Sequence, residues 1–253
     1  MGILLRMPQV ASEDARAEAP RGALDAPPAT GSKLVWWLRG TTLLERLREL
    51  ALVPLRTAFS FTRRAPLIIR EELPFMLNRR GLVGCGVEVG VKAGEFSELL
   101  LDRWEGRHLI SVDPWLESPL DDYPDVANVE QETHDDFHRQ TVERLRRFGD
   151  RSSVWRMTGT EAAGRIPHHS LDFVYLDARH DYESVNSDLH EWFDRIRPGG
   201  IFAGHDYVDG VFADGRFGVR SAVDEFFGAR GLRVRSTLVD PPWISWWVEL
   251  PRR

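Results

Sequence analysis

The sequence is poor in cysteine: Cys85 is the only one in 253 residues. No intramolecular disulfide can form, and no cysteine-based metal cluster can be assembled. A long apolar run is also missing, since none continues for the ~20 residues that a membrane-spanning helix needs. There is no basic excess either. The net charge of -6 gives no reason to expect a nucleic-acid partner. Nor does the start read as a leader, because the apolar part of Met-Gly-Ile-Leu-Leu-Arg6 is too short for a signal peptide. Arg6 also stands where a myristoylation signal wants Ser or Thr. These absences make a cytoplasmic setting the default expectation.

What remains has the composition of a globular protein, 42% hydrophobic and 28% charged. The length suits one sizeable domain with an appendage. Residues 1–32 are rich in Ala, Glu and Pro and read as disordered. Residues 33–80 change character. Leu34, Val35, Trp36, Trp37 and Leu38, then Leu43, Leu44, Leu47 and Leu50, recur at helical spacing among Arg39, Arg46, Arg48, Arg56, Arg63 and Arg64. Two readings follow for 33–64: a peripheral helix on an anionic membrane surface, or helices packed on the domain or on a second copy in a homo-oligomer. The second is favoured, because such apolar stripes more often face a core. Arg70–Asn78 reads as a lead-in helix broken or kinked near Pro74.

The domain at 81–253 is organised around Gly86-Val-Glu-Val-Gly-Val-Lys-Ala-Gly-Glu-Phe-Ser97. Val87 and Val89 belong to a buried strand, Gly90 and Gly94 bracket a turn, and Glu95–Trp104 has helical spacing. Such a unit holds a ligand at the carboxyl end of its strand, facing a helix N-terminus. The dinucleotide fingerprint G-x-G-x-x-G fails here because Val89 stands where the third glycine is needed, and the phosphate loop G-x-x-x-x-G-K-[ST] is absent. A second strand, Arg107–Val112, ends at Asp113. A carboxylate at that place can accept hydrogen bonds from both ribose hydroxyls of a nucleoside, a device shared by NAD enzymes and methyltransferases. Capping a following helix is the plainer use of Asp113.

Residues 114–135 are long for a connection and acidic, with Trp115, Asp121, Asp122 and Tyr123, and read as a lid. A helix is expected over Phe137–Phe148 and a third strand over Ser153–Met157, followed by a polar turn with Thr160 and Glu161. Leu171–Leu176 is an apolar strand that stops at Asp177-Ala-Arg-His180. A helix from Tyr182 to Ile196, an Arg197-Pro-Gly-Gly200 turn and a strand over Ile201–Gly204 lead to His205-Asp206-Tyr207. A helix at 219–227 and two strands near 232–239 and 245–250 close the chain. Asp177, His205 and Asp206 therefore project from the carboxyl ends of neighbouring strands.

Glu88-x-Gly90-x-x-x-Gly94 resembles motif I of the class I S-adenosylmethionine-dependent methyltransferases. The run Asp177-Ala-Arg-His-Asp-Tyr182, with Asp188, Trp192, Arg197-Pro-Gly-Gly200, Gly204-His-Asp-Tyr207 and Ala222-Val-Asp-Glu-Phe-Phe227, is similar to the methyltransferase 24 family. That resemblance implies an α/β fold with a Rossmann-like seven-stranded sheet and helices on both faces. It also implies S-adenosylmethionine as donor and O-methylation of a hydroxyl on a sugar or another small molecule. Glu88, Gly90, Gly94, Asp113 and Asp177 would hold the donor, with Thr160 and Glu161 near the adenine. By likeness to catechol-type relatives, Asp177, His205 and Asp206 would bind a divalent cation. His205 departs from the relatives' pattern and tilts the preference from Mg²⁺ toward Mn²⁺. His180 falls at the position of their catalytic lysine, beside Asp177 as the second catalytic residue, and an imidazole can act as base near neutral pH. The plainer uses are a helix cap for His180 and a loop anchor for His205. The competing functions are a nucleoside-binding protein without turnover, which would not need these strand-end groups, and an NAD-linked oxidoreductase, which the missing glycine disfavours.

Overall fold

The computed structural model describes residues 67–120, 123–240 and 243–252. The readings made for 1–32 and 33–64, and for Asp121 and Asp122, lie outside the described residues. No helix among the described residues is long and apolar enough to cross a membrane.

A 3-10 turn, Arg70–Glu72, leads into α1, Leu73–Arg80. The break expected near Pro74 falls between the 3-10 turn and α1, and Pro74 sits in the first turn of α1, where a missing N–H costs nothing. The alternation then runs β1 Cys85–Val89, α2 Glu95–Arg103, β2 His108–Asp113, α3 Gln131–Leu145, β3 Ser152–Arg156 and α4 Gly159–Arg165. It continues with β4 Leu171–Leu176, α5 Tyr182–Phe193 and β5 Ile196–Gly204. A hairpin that the sequence reading did not separate from its loop follows, β6 Asp209–Phe212 and β7 Gly215–Gly218. The last elements are α6 Val219–Gly228, β8 Arg235–Ser236 and β9 Trp246–Glu249.

The main sheet has seven strands in the order β3-β2-β1-β4-β5-β9-β8. β9 lies antiparallel to β5 and β8, and the other pairs are parallel. This is the expected Rossmann-like sheet. Among the boundaries that differ, two bear on the site. α3 begins at Gln131, not Phe137, which shortens the lid. β5 begins at Ile196 and absorbs Arg197-Pro-Gly-Gly200, accommodated by a register shift between Leu171 and Phe173 on β4.

Both faces of the sheet are covered, which is why its central strands are nearly continuous apolar runs. On one face Val87, Val89, Val174 and Phe202 pack with Ala162, Leu189, Trp192 and Phe227 from α4, α5 and α6. On the other, Leu109, Phe173, Tyr175 and Ile201 pack with Leu73, Leu77, Leu100 and Trp104. α1 thus belongs to the same core as the sheet, and a division at Gly81 falls within continuous packing.

Strand alternation turns Glu88 away from Val87 and Val89 and onto the second face, where it is 1% exposed. Ser97 of α2 donates its hydroxyl hydrogen bond to Glu88 and shares another with Ser111 of β2 at 2.7 Å. Burial pushes the Glu88 carboxyl up to about 8, against a smaller lowering by Ser97. The acid of motif I is therefore a brace beneath the turn, and the expectation that it contacts the donor is corrected. Gly90 is constrained from above. Its φ is +85°, and a Cβ there would lie 2.0 Å from the Asp177 carbonyl oxygen.

Gly90→Ala should accordingly cost about 2 kcal/mol or more of folding stability without any ligand. Urea denaturation of the ligand-free protein reads this directly, and a wild-type midpoint would show that the turn can relax. Glu88 generates a pH signature. Its folded value of about 8 lies above its ordinary 4.5, so the unfolded chain ionises first and the group's contribution to stability falls between those values as pH rises. Glu88→Gln removes that loss. Its melting temperature relative to wild type should rise from pH 5 to pH 8, and a constant difference would refute a neutral buried Glu88.

Candidate active site

The strand order reverses between β1 and β4, and the crevice outside their carboxyl ends is the switch point at which such sheets bind ligands. On the β2 side stands Asp113. Its Oδ2 accepts from the Val91 and Lys92 amides at 2.9 and 3.0 Å, and its Oδ1 accepts from the Trp115 amide at 2.7 Å. The carboxylate thus ties the glycine turn to the end of β2, with capacity left on Oδ1 for a further donor. Trp115 is fully buried with φ 44°, and its indole N–H donates to the Lys92 carbonyl at 2.8 Å. Gly94 opens α2 with φ +81°, facing Thr141.

Thr160 and Glu161 are exposed on the first turn of α4. The Glu161 carboxylate accepts from the Thr158 amide at 2.9 Å and its hydroxyl at 3.0 Å, closing a capping box. Those bonds hold Glu161 below its ordinary value. The acid expected near the adenine is therefore engaged in a helix cap.

The ends of β4 and β5 bring Asp177, His180, His205 and Asp206 together. His180 Nε2 lies 3.0 Å from Asp206 Oδ2, and His205 Nδ1 lies 2.9 Å from Asp206 Oδ1. Asp177 Oδ1 is 4.0 Å from His205 Nδ1, whereas its Oδ2 faces Arg70 at 3.2 Å. Behind His180, Asp125 of the lid meets Nδ1 at 2.8 Å. Phe217 of β7 stacks on the imidazole at 4.6 Å with planes 4° apart. The hairpin and Trp243 extend this contact into an aromatic wall.

Asp206 adopts φ 53°, strained for a residue with a side chain, and is buried. Burial works to raise its pKa, but hydrogen bonds from His180 and His205 prevail and hold it below the carboxylate range. For His180 burial lowers the value, and the bonds to Asp125 and Asp206 outweigh it, raising the imidazole to about 10. That places His180 above the ordinary histidine value, the region in which a base expected from sequence would titrate. His205 is raised as well, by Asp206 and Asp177 acting against burial. Asp177 is raised, mainly by burial, with the cations around it pulling the other way.

Ligand atoms of Asp177, His180 and Asp206 lie within 4.8 Å of one another. His205, the third member expected from sequence, has its Nδ1 on Asp206 Oδ1, and His180 is the imidazole that lies within this distance of both carboxylates. A cavity of about 20 Å³, lined by Asp177, His180, Asp188, His205 and Asp206 among others, adjoins the group. That is room for one water or one ion.

Two residues of the cluster escaped sequence reading. Asp125 lies in the lid, whose acidity was the only available signal. Arg70 lies ahead of α1, and nothing in its local sequence points at the crevice. The lid itself is pinned by Asn128, whose amide donates to the Ser118 and Tyr123 carbonyls, and by Arg179, which reaches Ser118 Oγ at 2.8 Å and lies over the Tyr123 ring.

Comparison with known proteins fits this geometry. The profile of a methyltransferase-domain family matches residues 87–207. A protein from Corynebacterium glutamicum superposes with TM-score 0.50 at 17% identity, over 87% of this chain and 96% of that one. A cofactor-bound protein from MTB does so with TM-score 0.50 at 16% identity, over the same 87% and 96%. Both show the fold. An uncharacterized protein from Sinorhizobium fredii is 34% identical over 55 residues, 22% of this chain, and the match spans only 6% of that protein's length. The matched profile begins inside β1 and ends just past Asp206, enclosing the glycine turn and every strand-end acid named from sequence. Residues 87–207 thus match the methyltransferase 24 family, a family of methyltransferase domains, and they lie on a Rossmann-like sheet of the class I methyltransferase kind.

Proposed function

We propose that this protein is an S-adenosylmethionine-dependent methyltransferase that methylates a hydroxyl oxygen of a sugar or another small molecule, with α1 packed onto a catalytic domain at 81–253. The observation that carries the reading is His180, fixed between Asp125 and Asp206 beside Asp177 at the donor crevice. A hydroxyl is a poor nucleophile while protonated, so its methylation needs a proton acceptor or a nearby positive charge, and this cluster offers both. When bound, S-adenosylmethionine supplies a methyl group already activated by its sulfonium, and the protein's task is alignment. Asp113 would take the ribose with its remaining Oδ1 capacity, and Gly90 and Gly94 keep the turn close enough for it.

The residues also fit a divalent cation by chemistry. Asp177, Asp206 and His180 offer two carboxylates and an imidazole, and Asp125 on the outer nitrogen of His180 is the kind of partner that orients a ligand histidine. Mg²⁺ or Mn²⁺ held there would place positive charge beside the acceptor hydroxyl and lower its pKa. His205 would steady Asp206 from behind. The aromatic wall of Phe212, Phe217 and Trp243 would frame the acceptor, since ring faces pack against sugar C–H groups and phenols alike. Because His180 starts as an imidazolium shared with two carboxylates, its basic form appears only as pH rises toward about 10. A cation on Nε2 would displace that proton and move the dependence toward neutrality.

The test is a methyl-transfer screen with labelled donor over glycan and phenolic acceptors, with chelator, Mg²⁺ or Mn²⁺. His180→Ala should lower turnover by roughly 10²–10⁴-fold while donor affinity stays nearly constant. In chelator any residual activity should climb with pH toward about 10, and the metal should shift this limb downward. Full activity in His180→Ala would remove that residue from the chemistry. A chelator-resistant enzyme still dependent on His180 would remove the metal.

A further inference from the structure

Arg70 enters the crevice from outside the family-matched span, on a strap that is itself firmly seated. Leu67, Ile68 and Ile69 are buried, and the Leu67 and Ile68 carbonyls accept from the Leu238 and Val239 amides at 3.2 and 2.9 Å. The Arg70 amide donates to Asp240 Oδ2 at 3.1 Å, an oxygen that also accepts from Ser245 at 2.8 Å. The backbone is thus fixed, and the side chain is directed from it. The guanidinium lies over the Phe96 ring at 5.2 Å, in the first turn after the glycine loop. It reaches Asp177 Oδ2 at 3.2 Å, with 30% of the Arg70 side chain and 22% of the Asp177 side chain still exposed.

The direction of the donor across the crevice decides what this pair meets. Asp113, at the end of β2, marks the ribose end. The glycine turn after β1 comes next, and the end of β4, with Asp177 and Arg70, lies on the far side of it. A donor laid from β2 across β1 brings its amino-acid end to β4. That end is a zwitterion, one carboxylate and one ammonium on the same carbon. Arg70 and Asp177 present the opposite charges side by side at 3.2 Å. A guanidinium carries five N–H donors in a planar fork suited to carboxylates, and the Asp177 contact uses one. Asp177 has its other oxygen turned to His205, so Oδ2 is the one on the donor side.

We infer that Arg70 binds the α-carboxylate of the methyl donor, with Asp177 Oδ2 receiving its α-ammonium, so that the two side chains together form an amino-acid subsite. The inference rests on the donor assignment above. It makes Arg70 a donor-specificity residue supplied by the lead-in strap and not by the matched domain.

The experiment compares two ligands by calorimetry: S-adenosylhomocysteine, which carries the amino-acid end, and 5′-methylthioadenosine, which lacks it. Each is titrated into wild type, Arg70→Gln and Arg70→Lys. Arg70→Gln should weaken S-adenosylhomocysteine by about 10- to 100-fold and leave 5′-methylthioadenosine within about twofold, while Arg70→Lys recovers part of the loss. A loss shared equally by both ligands would mean that Arg70 only supports the fold, and this overturns the inference. So does an unchanged affinity for S-adenosylhomocysteine in Arg70→Gln. Wild type that binds neither ligand would instead overturn the donor assignment itself, a result distinct from the other two.

Discussion

β1 and β4 leave the sheet so close together that the space between Gly90 and the Asp177 carbonyl admits no side-chain atom. The two exits are tied by the Asp177 amide on the Val89 carbonyl at 2.8 Å, while the Gly90 amide bonds to Val112 on the other side at 2.9 Å. One contact thus sets the distance between the glycine turn and Asp177, which in the proposed reaction would serve the donor and the reacting groups. A methyl group must pass between two molecules along one line, and an error of an ångström there costs heavily in rate. The glycine is needed for the joint between strands first, and the approach of a ligand comes second.

Charge is the second organising constraint. Asp177 and Asp206 are crowded at one sheet edge, where burial alone would drive them neutral. Arg70, His180 and His205 face them, and at Asp206 the histidines prevail over burial. At Asp177 burial prevails, although His205, Arg70 and His180 all pull against it. The edge is nearly balanced without an added cation, so a metal would have to displace protons to enter. At Glu88, beneath the turn, burial outweighs both the Ser97 hydrogen bond and the weaker pull of Arg70, and the carboxyl is pushed up to about 8.

Much of this was legible in the sequence because it is local. The strand-turn-helix at 86–104, the acids at strand ends and the seven-strand order all follow from apolar periodicity, glycine placement and the family resemblance. Errors arose where tertiary contacts decide. Glu88 sits in the motif at the donor turn, yet alternation along β1 buries it on the opposite face. Glu161 looked like a ligand group because it follows a strand, and it closes a cap with Thr158 three residues earlier. His180 and His205 both turn to Asp206, one on each carboxylate oxygen, a convergence that depends on tertiary placement of the two strand ends. Asp125 and Arg70 reach the cluster across 55 and 107 residues of chain, separations at which no spacing rule operates.

The hydrogen bond between the Arg70 amide and Asp240 spans 170 residues. Closing so long a loop is entropically costly and is rewarded only after the sheet between its ends has formed. On a ribosome, residues 67–70 emerge long before their partners at 238–240. The core strands and the glycine turn can be in place while the strap still lacks its seat. The crevice therefore acquires its arginine only once residues 238–240 have emerged, and assembly of the pocket trails assembly of the sheet.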